Sequence, residues 1–305
     1  MTVALIATVR NEAAELPAFL DSILKQTRKP DFIVITSGKS DDETDEILQE
    51  FEDKHYEDGF VWLPLDGGNR SFGRNEAIGF AVGAGADIIA CTNCSVLSPD
   101  WLAQIILPIE LDAIDLVGGF WAIRTYTDRE EAMALLTQWS DEQVREPAAL
   151  SMAFTSEVWK NAGGFPEDLD TSEDTEFVRR ARALAIDETF VPNAIVTWRP
   201  KTLTLRDATR TYYKYAVTDG KAGLLPGQYG ATYLVYALYF GALATMPWLG
   251  AFWLLAWLGF RVRKVVRKGL LFEVPYTMAA ALAMDMARMI GYVRGKLHAR
   301  FDSDS

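Results

Sequence analysis

The sequence contains few of the residues that build disulfide-linked, zinc-binding or dinucleotide-binding proteins. Its 305 residues include two cysteines and two histidines, and two cysteines are too few for a disulfide framework. Cys91 and Cys94 form a lone C-x-x-C pair with neither a second pair nor an obvious histidine partner, so we predict neither zinc binding nor a redox role for them. Ordinary thiols fit a reducing compartment. No G-x-G-x-x-G motif follows the first predicted strand, which argues against a dinucleotide-dependent oxidoreductase.

The chain is also short of positive charge, and its basic residues are concentrated near the end. Lysine and arginine total 30 against 42 aspartates and glutamates, a net charge of −12, which argues against nucleic acid as a partner. The acids crowd the first two thirds and the bases the last third, an asymmetry that suggests an acidic cytosolic domain followed by a membrane-facing region. Residues 1–8 lack the basic start and cleavage site of a signal peptide, and we expect none.

Charged residues are absent from residues 222–260. The most apolar part, residues 231–260, would extend roughly 45 Å as one helix, against about 30 Å of bilayer hydrocarbon. Pro247 near its middle predicts a break and therefore a hairpin of two short helices that crosses or enters the bilayer. The basic residues after the hairpin favour a cell-membrane location with a cytoplasmic catalytic domain. A buried, soluble helix pair is the alternative.

After the hairpin, residues 276–300 predict an amphipathic helix that lies on the bilayer surface or packs against the hairpin. We therefore predict two domains. The first comprises residues 1–225, and the second, residues 226–305, contains the hydrophobic helical hairpin and the amphipathic C-terminal helix.

The first domain alternates short apolar runs with helical patterns, which predicts a largely parallel sheet covered by helices on both faces. Ligands of such sheets lie outside the carboxyl ends of the strands, so the loops after Thr8, Thr36 and Thr92 should share one cleft. The strands are predicted at residues 3–8, 32–36, 60–64, 87–92, 116–124 and 189–198, and helices at residues 16–24, 41–51, 74–84 and 204–221.

A cluster of acids within residues 163–177 follows a Gly-Gly-Phe-Pro turn and overlaps a helix that should begin near Thr171 or Ser172. Glu173 and Asp174 then lie in the first turn, where the helix dipole and free N–H groups favour an ionised carboxylate. Such a carboxylate can accept a proton from an incoming hydroxyl group. The alternative is that Thr171 and Asp174 form a capping box, whose acids only stabilise the start of the helix.

In their order and spacing, several segments resemble family 2 glycosyltransferases of the GT-A fold. The resemblance implies an α/β, Rossmann-like, mostly parallel mixed sheet flanked by helices. It also implies an inverting enzyme that moves a sugar from a nucleotide-sugar donor to a hydroxyl acceptor, in glycolipid or cell-surface polysaccharide synthesis. The segments that carry the resemblance are residues 4–12, 26–31, 73–78, 98–102, 153–174 and 213–223.

The resemblance implies a role for each matched residue. Asp174 would be the general base that removes the acceptor proton, and Glu173 would shape the site or bind the acceptor. Arg74 and Lys214 would face the diphosphate leaving group, and the alternative for both is a solvated surface charge. The residues expected to contact the nucleotide-sugar are Thr8, Arg10, Asn11, Glu12, Thr36, Ser37, Lys39, Asp41, Arg74, Asn93 and Lys214.

Two places depart from the family pattern. Thr36 and Ser37 stand where the family has an acid that contacts the base or ribose. Asn93 and Ser95 stand where it has an Asp-x-Asp metal site, and amide and hydroxyl groups are poor ligands for Mg²⁺ or Mn²⁺. Either Mg²⁺ or Mn²⁺ is held weakly, chiefly by donor oxygens, or a positive side chain such as Lys39 replaces it.

Two functions fit these observations. The first is an active, membrane-associated glycosyltransferase with a nucleotide-sugar donor and a lipid-linked or polysaccharide acceptor. The second, suggested by the missing acids, is a non-catalytic, membrane-anchored nucleotide- or sugar-binding module in a polysaccharide assembly complex. We favour the enzyme because Asp174 and its surroundings are retained.

Overall fold

Two compact units make up the protein. The computed structural model describes residues 1–137, 147–200 and 203–303. Unit 1 comprises Met1–Arg124 and Arg145–Arg199, and unit 2 comprises Thr125–Val144 and Pro200–Ser305. The sequence-based division of the chain into domains 1–225 and 226–305 stays a prediction.

Strands and helices alternate along the first part of the chain, which confirms the predicted α/β class. The strands are β1 (Val3–Val9), β2 (Phe32–Gly38), β3 (Phe60–Leu65), β4 (Ile88–Thr92), β5 (Val96–Leu97), β6 (Leu116–Ile123), β7 (Ser151–Thr155) and β8 (Glu188–Trp198). The helices are α1 (Leu16–Leu24), α2 (Thr44–His55), α3 (Arg70–Gly83), α4 (Trp101–Asp112), α5 (Asp128–Thr137), α6 (Ser156–Asn161), α7 (Glu173–Arg182), α8 (Leu205–Ala222), α9 (Pro226–Thr245), α10 (Pro247–Arg267) and α11 (Val274–Ser303).

Unit 1 contains one mixed sheet with the strand order β3-β2-β1-β4-β7-β6-β8-β5. Strands β1 to β4 are parallel, and β7 runs antiparallel to β4. Parallel pairing requires crossover connections, and α1, α2 and α3 provide them. Thr8 pairs with Thr36, and Ala7 pairs with Thr92. The carboxyl ends of β1, β2 and β4 therefore lie at one edge of the sheet, as the sequence predicts.

Alternate residues of β1 enter two hydrophobic clusters, one on each face of the sheet. Leu5 belongs to a cluster with residues of α1 and α4, whereas Ile6 belongs to a cluster with residues of α3 and α7. Successive side chains of a strand point to opposite faces. A strand that is buried on both faces must therefore be uncharged throughout, as residues 3–9 are.

Helix α3 approaches the sheet closely at Gly73. A Cβ atom at this position would lie 2.6 Å from Thr8 Cγ2 and 3.1 Å from Thr36 Oγ1. The Thr36 hydroxyl lies 3.0 Å from the Thr8 hydroxyl and 3.2 Å from the Gly73 carbonyl oxygen. The absence of a side chain at Gly73 therefore sets how near α3 comes to the ends of β1 and β2.

Unit 2 is built from helices α5, α8, α9, α10 and α11. Helices α8 and α11 lie in close contact, since a Cβ atom at Gly295 would be 2.1 Å from the Val217 carbonyl oxygen. Met246 separates α9 from α10, and Pro247 is the first residue of α10. The helix break thus falls where the sequence predicts it, because proline is favoured in the first turn of a helix and disfavoured in its interior.

A buried carboxylate joins three helices of unit 2. Asp285 of α11 accepts hydrogen bonds from the Tyr236 hydroxyl of α9 at 3.1 Å and from Trp257 Nε1 of α10 at 3.0 Å. It also forms an ion pair with Arg261 of α10. A charge is buried at acceptable cost only when it is paired and hydrogen-bonded, so these contacts hold the three helices in one arrangement.

Within the described residues, every helix is too short or too polar to span a bilayer, so the transmembrane helix expected from the sequence is not found there. Helices α9 and α10 have 20 and 21 residues, about the number that a crossing requires. However, α9 contains four tyrosines and α10 ends among basic residues. A segment without charged residues is therefore not necessarily apolar enough to cross a bilayer.

We expect Gly73→Ala to destabilise the protein by about 1–3 kcal/mol, because the added methyl group overpacks the contact between α3 and the sheet. Urea-induced unfolding measures this change. Gly79→Ala is the matched control in the same helix, where a Cβ atom meets nothing within 4 Å. The control should stabilise the protein by up to about 1 kcal/mol through its higher helix propensity. Equal effects of the two substitutions would contradict the close approach at Gly73.

Candidate active site

Glu173 and Asp174 are the first two residues of α7, where the sequence predicts the helix to begin. Ser172 precedes them with a left-handed φ of 58° and makes no side-chain cap, a backbone conformation that surrounding contacts must hold. The Asp174 carboxylate accepts hydrogen bonds from Thr175 N at 2.8 Å and from Ala149 N at 3.3 Å. Asp174 therefore lies beside the residues that lead into β7, next to the end of β4.

Glu173 forms a buried ion pair. Its Oε1 atom accepts hydrogen bonds from Arg74 Nη1 at 2.6 Å and from Arg70 Nη1 at 3.3 Å. Arg74 is only 1% exposed and donates through Nη2 to Asn93 Oδ1 at 3.0 Å. Burial raises the pKa of Glu173, but the charges of Arg74 and Arg70 outweigh it and hold that pKa below its usual range. Glu173 is thus a fixed negative charge, and Arg74 is no solvated surface residue.

The pKa of Asp174 moves in the opposite direction. Burial and the neighbouring charge of Glu173 raise the pKa of Asp174, whereas Arg74 and the two backbone N–H donors oppose the rise. Neighbouring carboxyl groups whose environments separate their pKa values commonly divide the roles of an acid/base site. Glu173 supplies a permanent charge here, and Asp174 is the group suited to exchange a proton.

Asn93 and Ser95, at the expected metal site, do not suit a divalent cation. The Asn93 side-chain oxygen faces the Arg74 guanidinium, and the buried Ser95 hydroxyl has no hydrogen-bond partner among the described residues. The described ranges 1–137, 147–200 and 203–303 also contain no group of three His, Cys, Asp or Glu side chains that could hold a metal ion. Mg²⁺ and Mn²⁺ prefer charged oxygen ligands, and these two positions supply only neutral ones beside a cation.

The loops that follow β1 and β2 are bonded to each other. Asn11 N donates to Ser40 Oγ at 3.2 Å, and Asp41 N donates to Asn11 Oδ1 at 2.7 Å. Asn11 and Lys39 both adopt left-handed backbone conformations. Arg10 and Lys39 are exposed, and neither has a hydrogen-bond or ion-pair partner in the part of the chain that the structure describes. These loops therefore present two available cations at the carboxyl edge of the sheet.

Thr36 and Ser37 do not lie on the open surface. Both side chains are fully buried, and Ser37 Oγ accepts a hydrogen bond from Trp62 Nε1 at 2.9 Å. Strand β2 is buried on both faces up to these residues, and their expected contact with the nucleotide-sugar stays a prediction. Thr8 and Glu12 are half-buried.

Nine of the expected site residues form two groups and one separate residue. The first group lies at the end of β4, where Arg74 contacts both Asn93 and Glu173, and Asp174 follows Glu173 in the chain. The second lies on the two joined loops and consists of Arg10, Asn11, Lys39 and Asp41. Lys214 is an exposed residue of α8 and belongs to unit 2.

Three residues that position the site are absent from the sequence-based predictions. Asn75 Nδ2 donates to the Phe165 carbonyl oxygen at 2.9 Å, and Asn69 Nδ2 donates to the Glu167 carbonyl oxygen at 2.7 Å. These contacts join α3 to the turn before α7. Arg70 is the third of these residues. It precedes Arg74 by one helical turn and so lies on the same face of α3, which makes its role predictable from the sequence.

Comparison with known proteins identifies the family. The model of glycosyl transferase family 2 matches residues 4–170, more than half of the chain. The chain belongs to glycosyl transferase family 2. It is therefore a glycosyltransferase, and its sheet is that of the GT-A fold. No curated protein sequence matches this glycosyltransferase.

Solved structures with the same fold include two glycosyltransferases. The mannosyltransferase PcManGT from Pyrobaculum calidifontis, in complex with GDP-Man and Mn²⁺, has a TM-score of 0.57 at 17% identity, covering 94% of this chain and 86% of that chain. S. aureus TarS 1-349 in complex with UDP-GlcNAc has a TM-score of 0.51 at 15% identity, covering 99% and 92%. At these identities the likeness supports the fold of the family 2 enzyme.

We expect the free glycosyltransferase to bind Mn²⁺ no more tightly than about 1 mM, because Asn93 and Ser95 carry no charge. Isothermal titration calorimetry measures the affinity. Ser95→Asp adds a carboxylate at the position of the family's second acid and should tighten Mn²⁺ binding at least about tenfold. Ser98→Asp, outside the motif, is the control. Micromolar binding by the wild type that Ser95→Ala abolishes would contradict our interpretation of these two residues.

Proposed function

We propose that this glycosyltransferase acts with inversion, moving a sugar from a nucleoside diphosphate donor to a hydroxyl acceptor. The observation that carries the proposal is the pair of adjacent carboxyl groups, Glu173 and Asp174, whose pKa values are shifted in opposite directions at the carboxyl edge of the sheet. Ligands of open α/β sheets bind at this edge.

In the proposed reaction, Asp174 accepts the proton of the acceptor hydroxyl group. The acceptor oxygen forms a bond to the anomeric carbon while the bond from that carbon to the diphosphate oxygen breaks, and the nucleoside diphosphate leaves with the electron pair. A single displacement of this kind inverts the anomeric centre. The raised pKa of Asp174 strengthens it as a base, because a general base is most effective when its pKa lies near the working pH.

In this proposal, side chains stabilise the negative charge of the leaving diphosphate. Arg10 and Lys39 are exposed, lack other partners among the described residues, and lie on loops that are bonded together. Fixed positive charges stabilise the charge that develops on a leaving group. GDP-Man and UDP-GlcNAc in two structures of the same fold support a nucleoside diphosphate sugar as the donor class.

Asp174→Asn should lower the rate of sugar transfer by between about 100-fold and 10,000-fold, because the amide cannot accept the proton. Product formation is measured with a panel of nucleotide-sugars and a hydroxyl acceptor. Asp170→Asn, an exposed acid of the same turn, is the matched control and should transfer at the wild-type rate. Unchanged transfer by Asp174→Asn would contradict the role of this residue. Donor binding without transfer by the wild type would favour the non-catalytic module.

The pH dependence separates loss of the base from loss of folding. Wild-type transfer should increase as pH rises through the raised pKa of Asp174, since only the ionised carboxylate is a base. The folded protein binds this proton more tightly than the unfolded chain does, so the stability that Asp174 contributes at low pH is lost as pH rises through the folded pKa. Thermal unfolding at neutral pH should therefore find Asp174→Asn at least as stable as the wild type.

We also propose that unit 2 binds the surface of an anionic membrane, with the catalytic domain on the cytoplasmic side of the cell membrane. The outer faces of α9 and α10 expose large apolar side chains, among them Trp248 at 70% and Phe252 at 67%. Contiguous exposed apolar surface marks an interaction site. Basic residues follow at the end of α10, and such residues favour anionic lipid on the cytoplasmic face.

A bilayer interface suits these helices better than a crossing does. An interfacial element buries an apolar face in the headgroup region and keeps its charged face in water. Membrane attachment would bring the enzyme to a lipid-linked or polysaccharide acceptor, which supports a role in glycolipid or cell-surface polysaccharide synthesis.

Trp248→Ser combined with Phe252→Ser should weaken binding to phosphatidylglycerol-containing vesicles about 100-fold, because two large apolar side chains no longer enter the interface. Vesicle co-sedimentation measures the partition. Leu111→Ser, which removes a 72% exposed apolar side chain from α4 of unit 1, is the control and should bind as the wild type does. Unchanged binding by the double variant, or self-association of the wild type without vesicle binding, would contradict the membrane proposal.

A further inference from the structure

Unit 2 contains a cavity of about 860 Å³ that the proposed transfer reaction does not use. It is an open groove on helices α8 and α11, and we call it the α8–α11 groove. Its α8 side carries Arg206, Arg210 and Tyr213, and its α11 side carries Tyr276 and Ala287. These α8 residues are spaced at i, i+4 and i+7, which places them in one row along the helix.

The two arginines of the groove are available to a ligand. Arg206 and Arg210 are exposed, and neither makes a hydrogen bond or ion pair with any described residue. The nearby acids are already engaged, since Asp207 accepts a hydrogen bond from the Thr204 hydroxyl at 2.7 Å and Glu273 pairs with Arg129 at 2.9 Å. No described carboxylate therefore forms an ion pair with either guanidinium of the groove.

The aromatic walls of the groove are fixed in place. The Tyr276 hydroxyl accepts a hydrogen bond from Leu205 N at 2.9 Å, and the Arg129 guanidinium lies 4.8 Å from the Tyr276 ring centroid. Tyr213 accepts a hydrogen bond from Arg294 Nη1 at 2.8 Å. A third guanidinium is thus held at the Tyr213 side of the groove, and the walls are ordered before any ligand binds.

The α11 side of the groove leads onto an apolar surface. Ala287 lines the groove, and Ile290, three residues further along α11, is 63% exposed. Val293 and Leu297 continue the exposed apolar stripe. Positive charge and exposed hydrocarbon therefore lie side by side on one part of unit 2.

We propose that the α8–α11 groove binds the phosphate group of an amphiphilic phosphate ester. Arg206 and Arg210 contact the phosphate oxygens, for which guanidinium groups have matching donor geometry. The hydrocarbon of the ligand lies along Ile290 and the stripe that follows it. A soluble phosphate shares only the first of these contacts and binds more weakly.

The test is calorimetric titration of the full chain with dihexanoyl phosphatidic acid, kept below its micelle concentration. The double variant Arg206→Gln with Arg210→Gln should bind it at least about tenfold more weakly, since charge-assisted hydrogen bonds are lost. Lys54→Gln combined with Lys160→Gln, at two exposed lysines of unit 1, is the charge-matched control and should bind as the wild type does. All substituted residues are exposed, and unchanged thermal midpoints verify folding.

Two further arms distinguish the sources of the phosphate. Dihexanoyl phosphatidylcholine has the same chains but a zwitterionic headgroup, and inorganic phosphate has no chains, so each should bind at least about tenfold more weakly than the phosphatidic acid. Ile290→Asn should weaken phosphatidic acid binding while leaving phosphate binding unchanged. Equal affinity for inorganic phosphate would contradict the proposal that the ligand is amphiphilic. Unchanged binding by the double arginine variant would contradict the proposal that the ligand binds in the α8–α11 groove.

Discussion

The buried ion pair between Arg74 and Glu173 joins the parts of the candidate active site. Arg74 is carried by α3 and Glu173 by α7, and Asn93 at the end of β4 accepts a second hydrogen bond from the same guanidinium. Removing one partner of a buried pair costs about 3–5 kcal/mol, so the pair keeps three distant parts of the chain in register. It also places a permanent negative charge beside Asp174. That charge adds to burial in raising the pKa of Asp174, so one interaction supports both the architecture and the basicity of the site.

The sequence predicts those features that depend on neighbouring residues and fails where distant ones decide. The apolar runs that form β1 to β4 and the helix start at Glu173 are predicted within a few residues, because periodicity and caps are local signals. The burial of Thr36 and Ser37 is missed, because a short apolar run does not show where a strand buried on both faces ends. Arg74 and Glu173 are 99 residues apart in the chain, so no local sequence pattern predicts their ion pair. Residues 222–260 carry no charge and therefore suggest a bilayer crossing. However, absence of charge does not make a segment as apolar as a crossing requires.

The two units place their polar groups in contrasting ways. Unit 1 has an apolar sheet between helices, with its candidate site at the strand ends. Unit 2 buries Asp285 among Tyr236, Trp257 and Arg261 while exposing tryptophan, phenylalanine and leucine side chains on α9 and α10. Exposed hydrocarbon on this scale is unfavourable in water alone. This contrast in surface chemistry is in line with the proposal that unit 1 carries out transfer and unit 2 attaches to a membrane.

Unit 2 takes its helices from two separate stretches of the chain, and this interleaving limits how the chain can be shortened. Helix α5 comes from the segment between β6 and β7, yet its buried Ala132 and Met133 belong to a cluster with residues of α10 and α11. A fragment that ends at residue 225 would keep α5 and lose the helices that cover it. Truncation there would leave a newly exposed apolar surface on an otherwise complete sheet protein, and a recombinant fragment of this kind would tend to aggregate.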